Sequence, residues 1–183
     1  MDSLQSKLLV AVPQLPDTNF LQSVVLMVQH DEEGAFGLVL NRCSDIGLEE
    51  VWMQVAGEAI QSKAMLHFGG PVDGPMMVLH NDPTQSDSEV IDGVFLTTQK
   101  EKIDRLVRDH ATPAKYLTGY SGWAAGQLES EMDSGGWLVA DASFDYVFGH
   151  HEDLWKTVTN DIGNRILLSS VSGRLVPPDP SLN

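Results

Sequence analysis

VVLMVQHDEEGAFGLVL, residues 24–40, holds two apolar runs, Val24–Val28 and Phe36–Leu40, around a short polar connector. The connector, Asp31-Glu32-Glu33-Gly34, supplies turn residues and ends in a glycine. Two apolar runs about such a connector predict a β-hairpin. The first run is continuous and rich in β-branched side chains, which predicts a strand covered on both faces. Upstream, Leu8–Val12 is a further apolar run stopped by Pro13, and PQLPDTNF then brings turn residues. Downstream, Met65–Phe68 and Met76–Leu79 read as strands flanking Gly69-Gly70-Pro71. NDPTQSDSE reads as a polar loop, and Val94–Thr97, Lys115–Tyr120 and Trp137–Ala140 as further strands.

About four helices are expected among these strands. Leu48, Val51, Trp52 and Val55 recur at helical spacing, with Glu49 and Glu50 at the positive end of the helix dipole. Thr98 and Glu101 form a capping-box pattern before Ile103, Leu106, Val107 and His110. Trp123–Met132 aligns Ala124, Leu128 and Met132, and Leu154, Trp155, Val158 and Ile162 mark a last helix with Gly163 as its C-cap. Strands come in pairs and runs rather than alternating with helices, so the expectation is one α+β domain with a mainly antiparallel or mixed sheet. Its span is 1–170, followed by a mobile, proline-rich tail over 171–183.

Twenty-six acidic residues face eleven basic ones among 183, a formal net charge of −15. Such a surface repels phosphate backbones and anionic lipids, which are bound through Lys and Arg. Neither nucleic acid nor membrane is an expected partner; a protein partner or a small ligand is. No apolar stretch approaches the length of a membrane helix, and the N-terminus lacks the features of a signal peptide. Cys43 is the single cysteine, which fits a reducing, cytoplasmic location.

Candidate sites lie at strand ends. Asn41, Arg42, the Gly69-Gly70 turn and His80 would make a small-ligand or peptide site if the chain brings them together. The competing reading is a pair of capped, buried strands with satisfied histidines. The Gly69-Gly70-Pro71 loop lacks the lysine and helix start of a phosphate loop, so a tight turn is favoured. Cys43 beside Arg42 is a candidate redox thiol, against the commoner role of a small hydrophobe. Gly119-Tyr120-Ser121-Gly122 approaches a nucleophile elbow but has Trp123 where that motif needs glycine. His150-His151-Glu152-Asp153 is dense in ligand types, yet adjacent side chains diverge and no zinc spacing is present. Nothing calls for a metal or other cofactor. Trp52, Trp123, Trp137 and Trp155 read as core anchors, because cations do not alternate with them as in a strand-binding platform.

Four segments in fixed order then carry a resemblance: LLVAVPQLPDTNFLQSVVLMVQHDEEGAFGLVLNR (8–42), FGGPV (68–72), VLH (78–80) and GYSGWAAGQLESE (119–131), with Trp137 beyond. They resemble the YqgE/AlgH family of small bacterial proteins over about residues 7–165. The resemblance implies a partly barrel-like sheet with packed helices. It implies no catalytic residues, and the transcriptional-regulator label of some members rests on a genetic association rather than a DNA-binding element. The functional expectation is a non-catalytic binding or regulatory module. The alternatives are a small hydrolase using His80 or Ser121, and direct DNA binding, which the acidic surface opposes.

Overall fold

The computed structural model describes residues 3–15, 17–109 and 113–172. His110 and the tail beyond residue 172 lie outside the described residues. The hairpin is present as β2 (Val24–Asp31) and β3 (Gly34–Val39), antiparallel, with a bulge between Met27 and Gln29. Strand β1 (Lys7–Ala11) pairs with β2 on one edge and with β10 (Trp137–Asp141) on the other. Strand β9 (Ala114–Ala124) joins β3 to the second half of the sheet. That half is β6 (Val72–His80), β8 (Val94–Thr97) and β7 (Ser88–Ile91). The order is β10-β1-β2-β3-β9-β6-β8-β7, antiparallel throughout. A side pair, β4 (Cys43–Gly47) with β5 (Met65–Phe68), attaches through the parallel pairing of β5 with β9. The sheet is therefore mixed, and it curls into a half-barrel.

Alternation along the strands explains why their sequences are apolar throughout. Leu8, Val10, Val24 and Leu26 point to one face, where α5 (Leu154–Ser172) lays Leu154, Trp155 and Val158 against them. Leu9, Ala11, Val25 and Met27 point to the other face, beneath Phe20, Trp123, Trp137 and Leu128 of α3 (Gln127–Asp133). A third cluster buries Trp52 of α1 (Leu48–Ala56) and Ile103, Leu106 and Val107 of α2 (Lys100–Arg108) against Leu66, Val78 and Tyr116. The Trp155 indole N–H donates to the Ala11 carbonyl at 2.7 Å and fixes α5 on β1.

Several expectations need correction. Five α-helices are found among the described residues, the one the sequence did not announce being α4 (Phe144–Phe148), which is only five residues long and has no periodicity to reveal it. Trp123 and Ala124 belong to β9, and α3 begins only at Gln127, after Gly126 with φ 73°. The apparent helical spacing across residues 123–132 spans a strand end, a turn and α3. Gly163 does not end α5, which continues to Ser172. The Thr98–Glu101 capping box does not form: the helix N-cap is Gln99, and Thr98 is held by the Asp87 carboxylate. The polar stretch 81–89 contains a 3-10 turn at Pro83–Gln85 and the start of β7.

Candidate functional site

The sequence element GWAAGQLESE turns out to be architectural. Glu131 Oε2 accepts hydrogen bonds from the indole nitrogens of Trp123 at 3.0 Å and Trp137 at 2.9 Å. Phe20 stacks on Trp123 and meets Trp137 edge-on. Gln127 caps the end of β9 by accepting from the Ala124 amide, and its own amide donates to Glu131. Glu129 accepts from His30 Nε2 at 2.9 Å, while His30 Nδ1 accepts from the Leu4 amide, which fixes the imidazole tautomer. All four tryptophans are buried.

The predicted site residues divide. Gly69 and Gly70 pack on the backbone of β9: a Cβ on Gly69 would fall on the Gly119 carbonyl, and one on Gly70 on the backbone of Tyr120 and Ser121. Gly69 donates its N–H to the Thr118 carbonyl and accepts from the Val39 N–H and the Ser121 hydroxyl. These glycines let the chain cross β9 at close range between β5 and β6. His80 is fully buried, and Nδ1 accepts from the Asp82 amide at 3.2 Å. Its proton therefore sits on Nε2, which has no partner among the described residues. Burial pushes its pKa down, against the pull of Asp82 and Asp87. Residues 78 and 80 share a sheet face, opposite Leu79 and its neighbour Lys115 across β9, so His80 points away from that side. Ser121 is fully buried and its hydroxyl donates to the Gly69 carbonyl at 3.3 Å.

Asn41 and Cys43, by contrast, line one polar cleft of about 430 Å³. Asn41 is fastened by accepting from the Val24 amide at 2.9 Å and donating to the Gln22 carbonyl at 2.8 Å. Arg42 turns aside to the Ser23 hydroxyl at 3.1 Å. Cys43 is exposed and sits directly across the β4–β5 ladder from His67. Lys115, on β9, completes this wall, with Nζ donating to the Leu40 carbonyl at 2.9 Å. The opposite wall comes from the α4–α5 corner: Tyr146, His151, Glu152 and Asp153. Tyr146 donates to the Asp161 carboxylate at 2.6 Å, and Asp153 accepts from the Lys156 amide as the helix cap.

Electrostatics sets this cleft apart. Lys115 forms no salt bridge among the described residues, whereas Lys7, Lys100, Lys102 and Lys156 each pair with a carboxylate. Burial of the unpaired ammonium lowers its pKa to about 8. Burial, with the Lys115 charge beside it, lowers His67 to about 4, so its imidazole is neutral at physiological pH. Burial and Asp161 hold the Tyr146 phenol protonated, at about 12. The cleft thus presents an amine, a thiol and a neutral imidazole on one wall, and two carboxylates, a phenol and the His151 imidazole on the other. Sequence reasoning missed Lys115 and His67, although each interrupts an apolar strand with a polar side chain. Among the described residues, no three His, Cys, Asp or Glu side chains are grouped to hold a metal ion. No described helix is long and apolar enough to cross a membrane.

Comparison with known proteins agrees with the resemblance carried by the sequence. The AlgH-like family pattern matches residues 8–167. A UPF0301 protein of Myxococcus xanthus is 36% identical over 168 residues, covering 89% of this chain and 93% of the relative. One from Shewanella loihica is 38% identical over 186 residues, covering 94% and 99%. The solution structure of the AlgH protein from Pseudomonas aeruginosa superimposes with a TM-score of 0.72 at 28% identity, covering 97% of this chain and 91% of that one. A crystal structure from Corynebacterium diphtheriae shares the fold, with a TM-score of 0.69 at 24% identity and 86% coverage of both chains. Fold, length and sequence pattern agree from one end of the domain to the other, and the chain belongs to the AlgH-like family.

Proposed function

We propose that the protein is a non-catalytic binding module whose ligand seat is the cleft between the Asn41–Cys43 segment and the α4–α5 corner. The observation that carries this reading is Lys115: a largely buried amine that forms no salt bridge among the described residues, facing a cleft in a chain with a net charge of −15. An unpaired ammonium withdrawn from water lowers stability, and a perturbed group of this kind in a cleft is a candidate for a functional site. The cavity has the volume of a small-molecule site, and polar groups converge on it from five separate elements or corners of the chain. Cytoplasmic residence fits the exposed, unpaired Cys43 thiol. The acidic surface speaks against nucleic acid as the ligand.

The hydrolase alternative finds no support at either residue proposed for it. Ser121 Oγ bonds only a backbone carbonyl among the described residues, and His80 is buried on the face away from the cleft. A general base must lie within hydrogen-bond reach of its nucleophile.

The test is a fragment screen followed by protein-observed NMR. Binding in the cleft is expected to move the amide resonances of Cys43, His67, Lys115 and Leu154 together. Fragments that shift only residues elsewhere, or none, would refute the reading.

A further inference from the structure

The Lys115 amine lines the cleft described above. It reaches the cleft from the middle of the sheet, where β9 is flanked by β5 and β6. Its one hydrogen bond among the described residues, to the Leu40 carbonyl, leaves the nitrogen lone pair available once the proton is lost. The groups around it come from every neighbouring element. Cys43 on β4 and His67 on β5 share its wall, and Tyr146, His151, Glu152 and Asp153 face it from the α4–α5 corner. The two carboxylates on the facing wall disfavour anions in the cleft.

We propose that Lys115 anchors the cleft's ligand covalently, capturing a small, uncharged aldehyde as an imine. This rests on the cleft being the ligand seat. The Nζ lone pair attacks the carbonyl carbon, and the carbonyl oxygen takes up the proton that the nitrogen gives away. The resulting carbinolamine loses its hydroxyl with one further proton as water, while the remaining nitrogen lone pair forms the C=N bond. Amine and aldehyde thus become imine and water, with no change in oxidation state and no co-reactant; hydrolysis releases the ligand again. A desolvated lysine is the form in which an amine is nucleophilic near neutral pH. The neutral His67 imidazole and the Glu152 and Asp153 carboxylates are placed on the cleft walls to carry the protons. Anionic carbonyl compounds, including 2-oxo acids, are disfavoured by those same carboxylates.

Reductive trapping tests this. The full-length protein is treated with propionaldehyde and sodium cyanoborohydride at pH 7, and alkylation at each lysine is followed by peptide mass spectrometry. Lys115 is expected to label about tenfold faster than the exposed Lys63, as a lysine activated by desolvation should. Its labelling rate should rise with pH and level off above about 8, whereas that of Lys63 keeps rising. Lys115→Arg should abolish the fast adduct and leave Lys63 labelling unchanged; Cys43→Ser should keep it. Labelling of Lys115 no faster than Lys63 would overturn the proposal, as would a fast adduct lost in Cys43→Ser. The wild-type rate comparison needs no variant to fold. If Lys115 labels slowly while fragments still shift the cleft resonances, imine capture is wrong and the binding seat stands. If neither occurs, both fall.

Discussion

Gly70 lies against the backbone of Tyr120 and Ser121, with no room for even a methyl group. Gly70→Ala is expected to destabilise the fold by about 2–3 kcal/mol, because backbone, unlike a flexible side chain, cannot yield. Urea denaturation checks this. The glycine pair was legible as a turn, but its actual duty, close passage over another strand, depends on a partner some fifty residues away. His67 gives a pH dependence. Its folded pKa of about 4 lies below the 6.5 of the unfolded chain. Between those values the unfolded state binds a proton that the folded state does not, so stability falls as pH falls from about 6.5 to 4. His80 shifts in the same direction through burial. Denaturation at pH 7 and pH 5 should therefore show a smaller loss for His67→Gln than for the parent. Lys115 carries the same liability at the other end of the scale: stability falls as pH falls from about 10.5 to 8, and below about 8 its buried charge opposes folding in full. Lys115→Met should raise stability at pH 7 by about 1 kcal/mol, since an apolar group of similar length replaces an unpaired ion.

At the scale of elements, Glu131 ties α3 to two strands through two indole donors on one carboxylate oxygen. Glu131→Ala leaves both donors unpaired, and the expected cost is about 2–4 kcal/mol, read from thermal unfolding. Near-ultraviolet circular dichroism should change as well, because Trp123 and Trp137 lose their fixed orientation. The strand pattern was largely legible because each run obeys a local rule: β1, β2, β3, β5, β8 and β10 all carry apolar sequences that tertiary contacts reinforce. What escaped obeys no local rule. β4, CSDIG, is a polar edge whose identity comes only from pairing with β5. β7, SEVI, begins in a polar loop and becomes a strand by pairing with β8. The end of β9 looked helical because Ala124, Leu128 and Met132 happen to fall at helical intervals. Of the candidate site, Asn41 and Cys43 were visible as polar residues after a strand. Their neighbours Lys115 and His67 were not, since they come together only through the parallel β5–β9 pairing, which no sequence periodicity announces.

On the scale of the whole molecule, a net charge of −15 means that folding gathers mutually repelling carboxylates. Screening relieves that repulsion. Raising NaCl from 0.05 to 0.5 M is expected to lift the melting temperature by about 2–4 °C, or on the order of 1 kcal/mol. A fall with salt would mean that the surface ion pairs outweigh the net repulsion. The sheet also closes late in the chain: β1 pairs with β10, Leu8 opposite Ala140, and β3 depends on β9 for its outer partner. During synthesis the ribosome delivers β1 long before β10. At about 5–20 residues per second, the roughly 130 intervening residues take about 6–25 s to appear. Until β10 appears β1 lacks its outer partner, and until β9 appears so does β3, which leaves apolar strands with open edges, the kind of surface that recruits chaperones or other strands. Truncation before residue 137 should therefore leave an insoluble polypeptide rather than a smaller folded one, and yield in the cell should depend on chaperone supply more steeply than equilibrium stability would suggest.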